Sequence, residues 1–172
     1  MENQGIGAML KATGLVVTLL ATAGLYGCGG ANNVQHGYSG RGAHELRSLP
    51  IERQYVVRTA QSMIGKPYRY GGNSPSRGFD CSGLVQYSHR VAGIDVPRTS
   101  TLQHHRARAV ALNDLQPGDL LFFRIQGKTG HVGIYLGEGR FVHAPSSGKS
   151  VEITTLDHSY WKPRLIAAGN YY

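Results

Sequence analysis

The chain has 172 residues, of which 16% are charged and 24 are glycine. This length suits one domain and a leader, and the low charge content excludes a coiled coil. The net charge of +8 favours a polyanionic partner, and an anionic cell envelope meets that condition. Nucleic acid is not the expected partner, because the basic residues are scattered and the sequence holds no helix-turn-helix, zinc-finger or RNA-binding motif.

The N-terminal segment has the features of a secretory signal. Residues 12–27 are almost wholly apolar, follow Lys11 and end in small residues before Cys28. The run is shorter than the roughly 20 apolar residues that span a membrane, so residues 1–27 are predicted to be a signal peptide. Residues 25–28 (LYGC) resemble a bacterial lipobox, which implies that Cys28 carries a lipid after cleavage. The alternative is an uncleaved anchor helix.

Residues 28–50 are predicted to form a flexible, lipid-anchored tether, because they are rich in Gly, Asn and Ser and lack apolar periodicity. Gly30, two positions after Cys28, is not aspartate, so an outer-membrane anchor that faces the periplasm is expected. The catalytic domain is then predicted over residues 51–172 and is expected to act as a monomer.

The apolar residues of this domain change from a helical to a strand periodicity halfway along the chain. Helices are predicted over 51–64, 81–92 and 99–107, the third capped by Thr99 or Ser100, with a glycine-rich loop over 68–78. Five short strands are predicted over 119–124, 131–136, 140–144, 150–156 and 164–168. Helices followed by a strand meander predict an α+β domain, with N-terminal helices packed on an antiparallel sheet of about five strands.

Cys81 is the candidate nucleophile. At the start of the second predicted helix, free backbone N–H groups and the helix dipole would stabilise a thiolate, and a nearby imidazolium would lower the pKa of the thiol further. The same N–H groups can bind an oxyanion. The alternative is a small apolar core cysteine. Asp80 beside it, with Gly78 and Gly83 on either side, argues against a dry core.

Two histidines interrupt apolar strands, whereas the other six are expected at the solvent surface. A three-residue hairpin loop over 137–139 would pair Gly133 with His143 and place His131 and His143 on one sheet face. Such diagonal neighbours lie roughly 7–8 Å apart, and Gly133 would leave room for the ring of His143 to lean towards His131. A two-residue loop would put the rings on opposite faces. The predicted roles are a base, His131, which takes the proton of Cys81, and an orienting residue, His143.

Six motifs in order carry a family resemblance. They are YRYGG at 68–72, FDCSGLV at 79–85, PRTS at 97–100, PGDLLFF at 117–123, GHVGIY at 130–135 and FVHA at 141–144. Over about residues 51–171 the chain therefore resembles the NlpC/P60 family of bacterial cell-wall cysteine peptidases, which have a papain-like core.

The resemblance implies site residues and a substrate. It makes Cys81 the nucleophile, His131 the base and His143 the third polar residue, with Tyr68 near the oxyanion beside the backbone N–H of Cys81. Three more residues, Asp80, Ser82 and Arg98, are expected to contact the oxyanion or the substrate. Asp80 could instead cap the Cys81 helix, and Arg98 could either bind a substrate carboxylate or hold the helix that starts at Thr99.

The function expected from the sequence is a lipid-anchored envelope peptidase that cleaves amide bonds in peptidoglycan stem peptides or their cross-links through a Cys81 thioester. No cofactor and no metal are expected, and the sequence does not indicate which bond is cut. One alternative is a zinc hydrolase that uses Cys81, His131 and His143 as ligands. The others are a non-catalytic wall-binding lipoprotein and a transferase that passes the thioester to an amine or a lipid.

Overall fold

The computed structural model describes residues 45–172, and three helices precede the large sheet in addition to residues 45–48, which are also helical. Residues 45–48 belong to the predicted tether, but Leu46 among them is buried in the core. Helix α1 spans Ile51–Ser62, α2 spans Cys81–Val91 and α3 spans Ser100–Arg106. The predicted signal peptide, Cys28 and most of the tether lie outside the described residues. Within residues 45–172, no helix is both long enough and apolar enough to cross a membrane.

The helices lie close to where the periodicity predicts them, and each end has a local cause. Helix α2 begins where Asp80, in extended conformation, accepts a hydrogen bond from the backbone N–H of Gly83. Helix α3 begins where the Thr99 side chain accepts one from the N–H of Leu102. Helix α1 stops two residues before the predicted end, and Gly65 then reverses the chain at a φ of 84°.

Six antiparallel strands form the main sheet, and two shorter strands form a separate hairpin. The hairpin strands are β1 (Asn73–Ser74) and β2 (Gly78–Phe79). The sheet strands are β3 (Arg108–Val110), β4 (Leu120–Ile125), β5 (Lys128–Gly137), β6 (Arg140–His143), β7 (Glu152–Thr155) and β8 (Leu165–Asn170). Their order across the sheet is β3-β8-β4-β5-β6-β7.

The α+β class with helices packed on an antiparallel sheet is confirmed, but the prediction of about five strands missed β3. This strand is short and its first two residues, Arg108 and Ala109, are exposed, so it shows no apolar alternation. Adjacent β4 residues face opposite sides of the sheet. Phe122 packs in the larger core with the helices, and Phe123 packs in a second cluster with Trp161.

The hairpin between β5 and β6 has the predicted register, although its loop is different. Gly137 pairs with Arg140, so the turn contains two residues, Glu138 and Gly139, both at positive φ. An irregularity between Tyr135 and Gly137 inserts one extra residue on β5. The bulge offsets the shorter turn, so the pairing of Tyr135 with Phe141 is the one that a three-residue loop would produce.

Two expectations about individual residues are wrong. His89 is fully buried on the inner face of α2 rather than at the surface, and its Nδ1 atom lies 2.9 Å from the carbonyl oxygen of Val85. The space at Gly133 is filled by the ring of Phe141, whose nearest carbon would lie 2.6 Å from an added Cβ. His143 nevertheless contacts His131 directly.

Candidate active site

Cys81 is the first residue of α2, and the site is built outward from this helix end. Its side chain is partly buried, and its thiol is a free one. The backbone N–H of Val132 on β5 is close enough to the thiol to lower its pKa. Val132 directly follows His131 in this strand. The helix start and strand β5 therefore bring the cysteine and the histidine strand together.

Asp80 fixes the position of this helix start. Its carboxylate accepts hydrogen bonds from the backbone N–H of Gly83 at 2.7 Å and of Gly71 at 2.9 Å. One interaction satisfies a free N–H of the first helical turn, and the other attaches the preceding loop. Asp80 thus caps the helix, which is the alternative that the sequence left open beside a contact with the oxyanion or the substrate.

Arg98 grips the same carboxylate with both of its terminal nitrogens. Nη2 lies 2.6 Å from Oδ2 of Asp80, and Nη1 lies 3.0 Å from Oδ1 and 3.0 Å from Oγ of Ser82. This two-pronged geometry is the strong form of a charged hydrogen bond. Arg98 therefore holds the start of the helix that begins at Cys81.

Close backbone packing adds a further constraint. A Cβ added to Gly83 would lie 2.0 Å from the carbonyl oxygen of Gly72, a separation that real side chains do not show. The loop at Gly72 also accepts a hydrogen bond from the N–H of Asp80 at 3.0 Å. The glycines of the YRYGG and FDCSGLV motifs thus allow the loop and the helix start to touch.

The two strand histidines are in direct contact. Nε2 of His131 lies 2.8 Å from Nδ1 of His143, and the ring planes meet at 88°. Both residues are buried, with exposed fractions of 4% and 1%. The sequence thus correctly places the two rings within reach of each other.

Trp161, which is not among the residues predicted for the site, packs against this histidine pair. Its ring stacks on His131 with a centroid distance of 4.7 Å and an interplanar angle of 24°, and it meets His143 edge-on at 4.9 Å. Burial lowers the pKa of His131 to about 3, so the ring is a neutral imidazole at rest. The signal in the sequence is that this is the only tryptophan of the chain.

The thiol of Cys81 is in a different state from the one predicted. Burial, followed by the nearby Asp80 carboxylate, raises the pKa of Cys81, although the N–H groups of Val132, Ser82 and Cys81 itself lower it. Desolvation disfavours the thiolate more than the helix start favours it. The neutral His131 supplies no positive charge to offset this effect.

A cleft of about 420 Å³ opens at Cys81. The cleft is lined by all four of the residues predicted to bind the oxyanion or substrate, by Cys81 and by others from the surrounding loops. The lining residues are Tyr68, Tyr70, Gly71, Asp80, Cys81, Ser82, Arg98, Thr99, Ser100 and Gly130. Burial and the neighbouring Cys81 and Asp80 raise the pKa of Tyr68, so its hydroxyl keeps a proton to donate. Tyr70 was not predicted, and it is 88% exposed at the cleft.

The described residues do not form the zinc site that the alternative of a zinc hydrolase requires. Among residues 45–172, no three His, Cys, Asp or Glu side chains are grouped so that they could hold a metal ion. His131 and His143 point one nitrogen each at the other, and the contact of 2.8 Å is that of a hydrogen bond. These two nitrogens are therefore not turned towards a common ion.

A cysteine at a helix start, beside a buried histidine pair on an antiparallel sheet, defines a papain-like thiol site. The model of the NlpC/P60 family matches residues 65–170. The chain belongs to the NlpC/P60 family, as the sequence motifs predict.

Two relatives show the range of this family. The murein DD-endopeptidase MepH of Escherichia coli is 44% identical over 110 residues, which are 61% of this chain and 41% of that protein. The gamma-DL-glutamyl hydrolase of Bacillus subtilis is 47% identical over 128 residues, which are 72% of this chain and 31% of that protein. The chain thus spans less than half the length of these two relatives.

Solved structures support the same assignment. A Staphylococcus aureus protein described as similar to lipoprotein, of the NLP/P60 family, aligns with a TM-score of 0.65 and 35% identity, over 72% of this chain and 42% of that one. The NlpC/p60 domain of the peptidoglycan hydrolase SagA aligns with a TM-score of 0.60 and 34% identity, over 69% of this chain and 97% of that one.

Proposed function

We propose that the protein is a cysteine peptidase that cleaves amide bonds in peptidoglycan stem peptides or their cross-links. The observation that carries the proposal is the placement of Cys81 in an open cleft, next to the strand that bears a hydrogen-bonded histidine pair. The names of the relatives support the substrate class, since they include a murein DD-endopeptidase and a bifunctional muramidase/DL-endopeptidase.

The residues divide the chemistry as follows. His131 takes the thiol proton while the sulfur of Cys81 attacks the carbonyl carbon of the amide. The backbone N–H of Cys81 and the hydroxyl of Tyr68 donate hydrogen bonds to the oxyanion. The leaving amine receives the proton from His131, and a thioester on Cys81 remains. Water, deprotonated by the same histidine, then hydrolyses this thioester and frees the thiol.

Asp80 and Arg98 act as positioning residues in this scheme, because their side chains are engaged with each other and with the helix start. Ser82 donates to Asp80 through its hydroxyl at 3.2 Å and belongs to the same group. The bond that is cut follows from how a stem peptide lies along the cleft between Tyr68 and Gly130.

Digestion of purified peptidoglycan, with mass analysis of the fragments, tests the proposal and identifies the bond. The wild-type protein should release peptide fragments with new amine and carboxyl ends. Cys81→Ser should release none while its circular dichroism matches that of the wild type. His131→Ala should lose nearly all activity and His143→Ala less, and the losses should not add because the three act as one unit. Full activity of Cys81→Ser would contradict the proposal.

The location of the protein is a second part of the proposal. A signal peptide over residues 1–27, a lipid on Cys28 and the tether that follows would hold the catalytic domain, as a monomer, at the periplasmic face of an outer membrane. One acyl chain gives only weak membrane binding, so stable anchoring requires at least two. Mass spectrometry of the mature N-terminus provides the test. An unmodified Cys28, or cleavage at another site, would contradict lipid anchoring.

A further inference from the structure

A carboxylate lies at the far end of the histidine pair. On the neighbouring strands β6 and β7, His143 pairs directly with Glu152. Nε2 of His143 is buried and has no hydrogen-bond partner among the described residues, and Oε1 of Glu152 lies 3.7 Å from it. A buried ring nitrogen without a partner is destabilising. The Glu152 side chain is half exposed, so a movement of about 1 Å brings it to hydrogen-bond distance.

We propose that Glu152 is a positioning residue that selects the tautomers of His143 and His131. A carboxylate only accepts hydrogen bonds, so its partner Nε2 of His143 must carry a proton and Nδ1 of His143 must be an acceptor. The 2.8 Å contact between the rings then takes its hydrogen from Nε2 of His131. Nδ1 of His131 is left without a proton, so it is the nitrogen that can accept the proton of Cys81.

The opposite pair of tautomers would be unproductive. If Nδ1 of His143 carried the proton, Nε2 of His131 would have to accept it. Nδ1 of His131 would then carry the remaining proton and could not take another from Cys81. The proposal thus rests on the proposed function, because it concerns the base of that reaction.

The surroundings of His143 keep its ring neutral. The property that can vary is therefore the tautomer, and not protonation to an imidazolium. His131 faces it from β5, Lys149 from the loop before β7 and His158 from the segment after β7. Burial, followed by these three groups, lowers the pKa of His143 to about 2. Glu152 is the carboxylate that faces the same ring, so it is the group that distinguishes one neutral tautomer from the other.

Nitrogen NMR of the full chain labelled with ¹⁵N-histidine measures this directly. In the wild type, both His131 and His143 should carry their proton on Nε2. Glu152→Ala should show a mixture of tautomers at both rings. Glu152→Gln keeps an oxygen that can accept a hydrogen bond and should keep most of the wild-type tautomers. The control is Asp157→Ala, which removes a carboxylate that is 88% exposed and paired with Lys162. It should leave both tautomers unchanged.

Kinetics on peptidoglycan fragments supply the second readout. Glu152→Ala should lower kcat by about tenfold, less than the 10²–10⁴-fold effect typical of a general base, with KM unchanged. Glu152→Gln should lose less, and Asp157→Ala should match the wild type. Wild-type tautomers in a folded Glu152→Ala protein, or a kcat equal to that of Asp157→Ala, would overturn the inference. The NMR result does not depend on turnover, so failure of the proposed function alone would leave the tautomer result standing.

Discussion

At the scale of single residues, Cys81 shows two opposing influences on one thiol. The N–H groups of Val132, Ser82 and Cys81 lower its pKa, and burial with the charge of Asp80 raises it by more. His131 is neutral because burial lowers its pKa to about 3. The resting site is therefore a thiol and an imidazole rather than an ion pair. The proton is expected to move as the sulfur attacks, once substrate has entered the cleft.

The rate of iodoacetamide labelling as a function of pH tests this state. Because the thiolate is the reactive form, the rate should rise with a midpoint above the value of about 8.5 that is usual for a free thiol. The same cysteine in the urea-unfolded protein is the control, and its midpoint should lie lower. A midpoint near neutrality in the folded protein would show that Cys81 and His131 form an ion pair at rest.

At the scale of elements, the start of α2 depends on a contact that is remote in sequence. Arg98 lies 18 positions after Asp80 and binds both oxygens of its carboxylate, while Asp80 caps the helix through Gly83. The Asp80 side chain is 12% exposed and that of Arg98 is 33% exposed, so solvent only partly weakens the pair. The pair therefore holds Cys81 in place as well as stabilising the fold.

Arg98→Met should lower the free energy of unfolding by about 2 kcal/mol, below the 3–5 kcal/mol typical of fully buried pairs, since Arg98 is partly exposed. Arg98→Lys should recover less than half of this, because an ammonium group cannot reproduce the two-pronged contact. Urea unfolding provides the measurement, and kcat should fall in parallel. The control is Lys162→Met, which breaks the exposed pair with Asp157 and should change stability by less than about 0.5 kcal/mol. Equal stability of the two methionine variants would contradict the argument.

Some features of these elements can be predicted from the sequence, and others cannot. The glycine-rich motifs, the helix start at Cys81 and the shared face of His131 and His143 are local patterns, so the sequence predicts them. The extra residue between Tyr135 and Gly137 is set by how two strands pair, and no sequence signal separates it from a longer turn. The stacking of Trp161 on His131 joins β5 to the residue just before the 3₁₀ turn Lys162–Arg164, so it depends on tertiary packing and not on a local pattern.

At the scale of the whole molecule, the fold buries three of the histidines within residues 45–172 as neutral rings. His131 and His143 contact each other on β5 and β6, whereas His89 lies in the main core beside Tyr171 and Tyr172. Burial lowers the pKa of His89 to about 4, and the charge of Arg53 adds to this effect. In the unfolded chain a histidine binds its proton near pH 6.5, so protons favour the unfolded state over this range.

The stability of the protein should therefore fall as the pH is lowered from about 6.5 to about 4. A folded-state pKa that lies below the unfolded value stabilises the fold above pH 6.5, and that contribution is lost as the pH falls towards 4. For His89 alone the loss amounts to about 3 kcal/mol. His89→Gln replaces the ring by a group that does not titrate, so its stability should fall by about 3 kcal/mol less over the same range. Urea unfolding at intervals between pH 7 and pH 4 measures the difference.

His131 and His143 are unchanged in both proteins, so their contributions cancel. His105→Gln, at an exposed position of α3, is the matched control and should follow the wild-type curve. Parallel curves for the wild type and His89→Gln would mean that His89 takes up its proton in the folded state as easily as in the unfolded chain.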